Sequence, residues 1–173
     1  MTQSDWDQCC EPQKMLKFLC DSGRPGDRKL RLYAAACCRH APRLAGSPGT
    51  KVAHLCERLA DGLASPAEAL RVRRVSLRWQ TAQACAALRD LFNPFHPLLL
   101  DASWLTPTVL SLATAAYEHR LLPSGHLDCA RLLVLADALL DAGCNDVGLL
   151  QHLRGEGPHW RGCFAVDAVL GKS

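Results

Sequence analysis

The segment Leu127–Ala142 constrains this chain more than any other. It is apolar almost all the way round, with Asp137 and Asp141 on a narrow polar strip and Gly143 in place to close it. A helix with so little polar surface has to be packed on most sides, so it predicts a central helix with Leu133, Leu135, Ala136 and Leu139 in the core. Its neighbours must then also offer apolar stripes. Aromatic residues make up only 6% of the chain. The core is therefore built from Leu, Ala, Val and Cys, a palette that suits packed helices better than sheets.

Helix signals recur along the rest of the sequence. Pro12 sits where a first helical turn accepts proline, ahead of Met15, Leu16 and Leu19 on one face. Leu30, Tyr33, Ala34, Cys37, Ala41 and Leu44 follow helical spacing, with Arg28, Arg31 and Arg39 on the other side. Thr50 is a candidate cap for a helix that turns Val52, Leu55, Cys56 and Leu59 inward and stops near Gly62. Ser65-Pro66-Ala67-Glu68 reads as a capping box, opening a helix that extends towards Phe92. Asn93-Pro94-Phe95-His96-Pro97 is a rigid linker. Thr106-Pro107 starts a helix with Val109, Leu112, Ala113, Ala116 and Tyr117 on one stripe, and Asn145 is placed to cap a short segment reaching Leu153. Phe164, Val166, Val169 and Leu170 form a last short element, helix or strand. No pair of alternating apolar runs joined by a hairpin turn occurs. The expectation is an all-α fold: an irregular bundle of about seven helices in a single domain spanning 1–173.

The start of the chain lacks the basic and apolar regions of a signal peptide, and no apolar run approaches the length of a membrane span. The expected setting is cytoplasmic, with no membrane partner, and the ten cysteines are expected as reduced thiols. Charge is unevenly distributed. Residues 24–78 hold twelve basic and four acidic side chains, whereas residues 79–173 hold six basic and nine acidic. Such asymmetry suits a polyanionic partner or the packing of two complementary surfaces.

Taken together, several segments resemble one family. They are Met1-Thr2, Trp6, Cys9, Pro12 and Met15-Leu16; Asp27 to Leu32 with Ala36-Cys37-Cys38-Arg39; Asn93-Pro94-Phe95 and Trp104-Leu105-Thr106; Leu135 to Leu139 with Ala142-Gly143-Cys144; and Gly157-Pro158-His159, Arg161-Gly162-Cys163, Asp167 and Leu170-Gly171-Lys172. The chain resembles a family of small, Cys-rich, uncharacterised bacterial proteins multiplied in planctomycete genomes. The resemblance runs nearly the full length and departs around Leu121 to Cys129. It implies a bacterial cytoplasmic setting and transfers no site.

Five groups of residues bear on chemistry. Cys144, His152, His159 and Cys163 supply the thiol and imidazole ligands that tetrahedral zinc takes, although only His159 and Cys163 stand at a close ligand spacing. The competing view makes both cysteines core residues and has the histidines hydrogen-bond the turn. Cys37 and His40 share a helix face beside Arg39, where a cation lowers a thiol pKa, yet Cys37 also fits the apolar stripe directly. Cys163 or Cys144, His159, and Asp167 or Asp137 have the residue types of a Cys–His–Asp triad, without any nucleophile signature around either cysteine. The closing Gly171-Lys172-Ser173 is not a phosphate loop, because Val166 stands where that pattern needs glycine. Finally Arg28, Arg31, Arg71, Arg74 and Arg78 offer a basic strip for nucleic acid, or simply a solvated face. No catalytic residue is assigned. The functional expectation is a non-enzymatic helical module for a protein partner, with no cofactor apart from zinc at the Cys/His cluster. The alternatives are nucleic-acid binding through residues 24–78 and a metal- or thiol-dependent activity at that cluster.

Overall fold

The computed structural model describes residues 1–23, 25–40, 47–65, 67–68 and 81–172. Among these the fold is all-α, with nine α-helices, one short 3₁₀ turn and no strand. No helix among them is long and apolar enough to cross a membrane. The chain divides into two compact units, Met1–Phe95 and His96–Ser173.

The first unit contains α1 (Gln3–Gln8), α2 (Pro12–Asp21), α3 (Asp27–His40), α4 (Ser47–Ala60) and α5 (Thr81–Leu91). A capping box starts α1: the Thr2 side chain accepts from the Asp5 amide and the Asp5 carboxylate accepts from the Thr2 amide. Trp6 is then buried beside Phe18 and Phe95, whose rings stack 5.5 Å apart. Arg89 of α5 donates to the carbonyls of Trp6 and Cys9, satisfying the end of α1. Pro12 occupies the first turn of α2, and Met15 and Leu19 are fully buried, as the spacing predicts.

Helix α3 is buried more widely than a single stripe would be. Leu32, Ala35, Ala36 and Cys38 join Tyr33 and Cys37 in the interior, because α3 packs against both α4 and α5. Helix α4 begins at Ser47, ahead of Thr50, and buries Ala53, Cys56 and Ala60 while Val52, Leu55 and Leu59 are half-buried. Arg39 is not on a solvated face. Its guanidinium meets Glu57 of α4 at 2.9 Å, with both side chains more than nine-tenths buried. The capping box at Ser65 forms: Ser65 N donates to the Glu68 carboxylate at 2.8 Å, and Glu68 N donates to Ser65 Oγ at 3.3 Å. Most of the helix expected to follow it, and Ala41 and Leu44, lie outside the described residues.

The second unit contains α6 (Pro107–Glu118), α7 (Cys129–Asp141), α8 (Val147–Arg154) and α9 (Phe164–Val169). Thr106 caps α6 by accepting from the Val109 amide, and Val109, Ala113, Ala116 and Tyr117 face inward. Helix α7 packs against α6 and α8, and α9 packs against α6 and α8, giving one apolar core. Two expectations are corrected here. Leu133 is 46% exposed and the inward set is Leu132, Leu135, Ala136 and Leu139. A helix lying on other helices still turns one side to solvent, and Leu133 shares that side with Leu140. The cap of α8 is Asp146 rather than Asn145; its carboxylate accepts from Leu149 N at 2.9 Å. The ten cysteines are free thiols, six of them buried.

Leu139 is fully buried whereas Leu133 is not. Leu139→Ala is therefore expected to cost about 2–5 kcal/mol, and Leu133→Ala to stay within about 0.5 kcal/mol of wild type, in urea denaturation followed by circular dichroism.

Candidate metal centre

The second unit assembles its Cys/His group from two helix ends and the turn between them. Helix α8 buries Leu149, Leu150 and Leu153, and His152 rides at the edge of that face in the last turn. The Gly155 amide donates to the His152 carbonyl and ends the helix. Gly157 then reverses the chain at φ 80, a conformation that side chains with a Cβ rarely adopt. A Cβ at this position would also meet the His159 amide at 3.0 Å and its ring at 3.1 Å. Glycine is thus what allows the His159 ring to lie back against the turn. Residues 158–163 follow as a strap. It is held by an isolated bridge between Trp160 and His126 and by the Leu127 amide donating to the His159 carbonyl at 2.8 Å. The strap delivers Cys163 as the cap residue of α9.

His152 Nε2 lies 3.1 Å from Cys163 Sγ. The His152 ring meets the His159 ring edge-on at 4.8 Å between centroids and packs against Phe164 at 4.2 Å. His152, His159 and Cys163 each offer one ligand atom, and these atoms lie within 4.8 Å of one another. Cys163 and His159 are almost fully buried, while His152 is half-buried. His159 Nε2 lies 3.3 Å from the Gly155 carbonyl. A carbonyl can only accept, so Nε2 is the donor in this contact, and a metal would take the Nδ1 side of the ring. Metal-binding histidines commonly have their other ring nitrogen held this way. Around tetrahedral zinc, bond lengths of about 2.3 Å to sulfur and about 2.0–2.1 Å to nitrogen put a thiolate and an imidazole nitrogen about 3.5 Å apart. The three side chains need only small adjustments to reach that spacing.

Cys144 is placed differently. It is 1% exposed in the core of the unit, and its amide closes the end of α7 on the Leu139 carbonyl. The carboxylates considered for a triad are also accounted for. Asp137 pairs with Arg154 at 2.7 Å on the surface. Asp167, 1% exposed on α9, accepts from the Tyr117 hydroxyl at 2.6 Å. That hydroxyl in turn accepts from the Gly162 amide at 3.1 Å. Burial, followed by the charge of Asp167, holds the Tyr117 phenol well above its ordinary range, so it remains a donor. Neither Tyr117 nor this link was legible in the sequence as part of the site. Tyr117 reads there only as one more apolar position of α6, and no local pattern joins residues 117, 162 and 167.

In the first unit, burial pushes the Cys37 thiol up, so this sulfur is a core group there rather than a reactive thiolate. Burial, followed by the charge of Arg39, pushes His40 down. Arg28 pairs with Asp61 at 3.5 Å, and Arg31 donates to the Leu59 carbonyl at 2.9 Å and to Asp27 at 3.4 Å. Arg71, Arg74 and Arg78 lie outside the described residues. Comparison of the chain with protein-family models, with curated proteins and with solved structures finds no match.

Tyr117→Phe deletes the hydroxyl shared by a buried carboxylate and a buried amide. It is expected to destabilise the second unit by about 1–3 kcal/mol, read as a lowered denaturation midpoint.

Proposed function

We propose that the protein is a non-enzymatic helical interaction module whose C-terminal turn is fastened by a soft divalent cation, zinc by preference. The observation that carries this is the convergence of His152, His159 and Cys163, three side chains of the right types with ligand atoms within 4.8 Å of one another. Zinc favours nitrogen and thiolate donors of this kind. The burial of Cys163 and His159 restricts a substrate's access to a bound ion and so favours a structural role, with the fourth position of a tetrahedral ion left to a further ligand. Binding would join the end of α8 to the start of α9 and so hold the strap in place. A fixed second unit keeps a fixed outer surface, and α7 turns Leu133, Val134 and Leu140 to solvent at 46%, 51% and 49% exposure. Apolar side chains of that kind suit a protein partner. The resemblance to the planctomycete family fits a bacterial setting for such a module and adds no chemistry.

Cobalt serves as the test ion, because a thiolate bound to cobalt gives a charge-transfer band in the near ultraviolet. The full chain is expected to show that band at one equivalent and to lose it on addition of excess zinc. Cys163→Ser and His152→Ala should abolish it, whereas Cys144→Ala should keep it. Zinc at about a hundredfold excess over its Kd should raise the unfolding free energy by about 2.7 kcal/mol. Affinity should fall as pH is lowered, since thiol and imidazole must both lose their protons to bind. A wild-type chain without stoichiometric metal, or a Cys163→Ser variant that binds as well as wild type, would overturn the assignment.

A further inference from the structure

We infer that Cys38 and Cys56 are a dithiol/disulfide couple: a hydroperoxide oxidises the pair, and the new S–S bond ties α3 to α4.

The pairing follows from the way the two helices lie together. Contacts between them run in opposite directions along the chain: Arg28 meets Asp61, Arg31 meets the Leu59 carbonyl, and Arg39 meets Glu57. Cys38 and Cys56 stand next in sequence to the buried Arg39–Glu57 pair and are themselves 1% and 2% exposed. Their thiols are hydrogen-bonded to each other. Ala35 and Ala53 complete the same buried cluster, so small side chains flank the two sulfurs. A disulfide needs its sulfurs about 2.0 Å apart. Rotation about two Cα–Cβ bonds brings thiols already in contact to that distance.

Position on α3 selects the partner. Cys37 is buried too, but its sulfur is bonded to the Tyr33 hydroxyl, one turn back on the same helix. Consecutive helical residues point about 100° apart, so Cys37 and Cys38 address different neighbours.

The hydrogen bond also divides the roles. The bond from Cys38 pulls the Cys56 thiol down against the effect of burial. The same bond, together with burial, pushes the Cys38 thiol up. Cys56 Sγ is therefore the attacking thiolate. It takes one oxygen of the hydroperoxide ROOH, the O–O bond breaks, and Cys56 becomes a sulfenic acid, S–OH. The departing RO⁻ picks up the proton that Cys56 released and leaves as ROH. Cys38 Sγ then attacks Cys56 Sγ, the S–O bond breaks, and the hydroxide leaves as water with the Cys38 proton. Two electrons have passed from the sulfurs to peroxide oxygen. A thiol reductant reverses the bond by exchange.

Burial sets the pace. In the reduced protein both sulfurs pack as small apolar groups. An oxidant reaches them when the last turn of α3, which contains Cys38, opens. Oxidation is slower there than at exposed Cys10, and bulky oxidants are kept out.

Millimolar hydrogen peroxide is the probe, applied to the reduced full chain without added metal. Remaining thiols are alkylated in denaturant, and the peptides are sequenced by mass spectrometry. A peptide joining Cys38 to Cys56 is expected as the main intramolecular linkage. It should form more slowly than Cys10 is oxidised and be lost on treatment with dithiothreitol. Cys37→Ala should keep it and Cys56→Ala should abolish it, with circular dichroism of the reduced variants checking that each folds. Oxidised wild type should unfold about 5 °C or more above the reduced form, because the bond restricts the unfolded chain. Complete oxidation of Cys10 without the Cys38–Cys56 peptide would overturn the inference. So would a peptide joining Cys37 to Cys56 in its place, or the same mixture of linkages from native chain and from chain oxidised in guanidinium.

Discussion

The second unit depends on one buried hydroxyl. Tyr117 Oη donates to the Asp167 carboxylate and accepts from the Gly162 amide, so α6, α9 and the strap that precedes α9 meet at a single oxygen. A carboxylate that is 1% exposed is costly unless it receives hydrogen bonds, and a buried amide is costly unless it gives one. Both needs are met by the same group, and the phenol stays protonated because it is buried beside a negative charge. The link also sets the positions of Cys163, next to Gly162 in sequence, and of Arg161 on its other side.

The first unit has an equivalent device of opposite risk. Arg39 and Glu57 form an ion pair that is almost wholly buried between α3 and α4. Removing either partner would leave a charge in the interior, a loss of about 3–5 kcal/mol, although the intact pair adds less than its Coulomb attraction suggests. Around it Ala35, Cys38, Ala53 and Cys56 pack closely, small residues that let the two helices approach. The cysteines act there as small apolar groups, in keeping with the general behaviour of buried thiols.

The Cys/His cluster has a chemistry that follows from its position. Its residues come from the last turn of α8, the strap and the start of α9, elements joined by short connections. Closing such a cluster with an ion restrains the strap without drawing on distant parts of the chain. Gly157 is the residue that permits the arrangement, because its φ of 80 is one that side chains rarely adopt and a Cβ there would crowd the His159 amide and ring. The resulting strap carries Arg161 towards the Tyr117 ring and Cys163 towards His152.

The sequence by itself determined most of the helices, though not α1, nor that the last short element is helix rather than strand. Pro12, Thr106-Pro107 and the Ser65–Glu68 capping box announce local hydrogen bonds between residues three or four apart, and such bonds need no tertiary partner. The apolar spacing of Met15 and Leu19, and of Val109, Ala113 and Tyr117, likewise marks the faces that go inward. His152, His159 and Cys163 were legible as metal-ligand types lying close together in the chain. Tertiary structure alone decided which of the four Cys/His side chains meet. Cys144 ends α7 in the core; residue type does not separate it from Cys163, and only the closer spacing of Cys163 to His159 hints at the difference. Tertiary structure also decided that Leu133 faces solvent while Leu132 does not: Leu133 stands one turn before Asp137 on the polar strip, but its apolar type hides how far the exposed side extends. The pairing of Arg39 with Glu57, and of Tyr117 with Asp167, came from the fold for the same reason. A charged or polar side chain finds its buried partner through three-dimensional packing, and the partners here stand 18 and 50 residues apart.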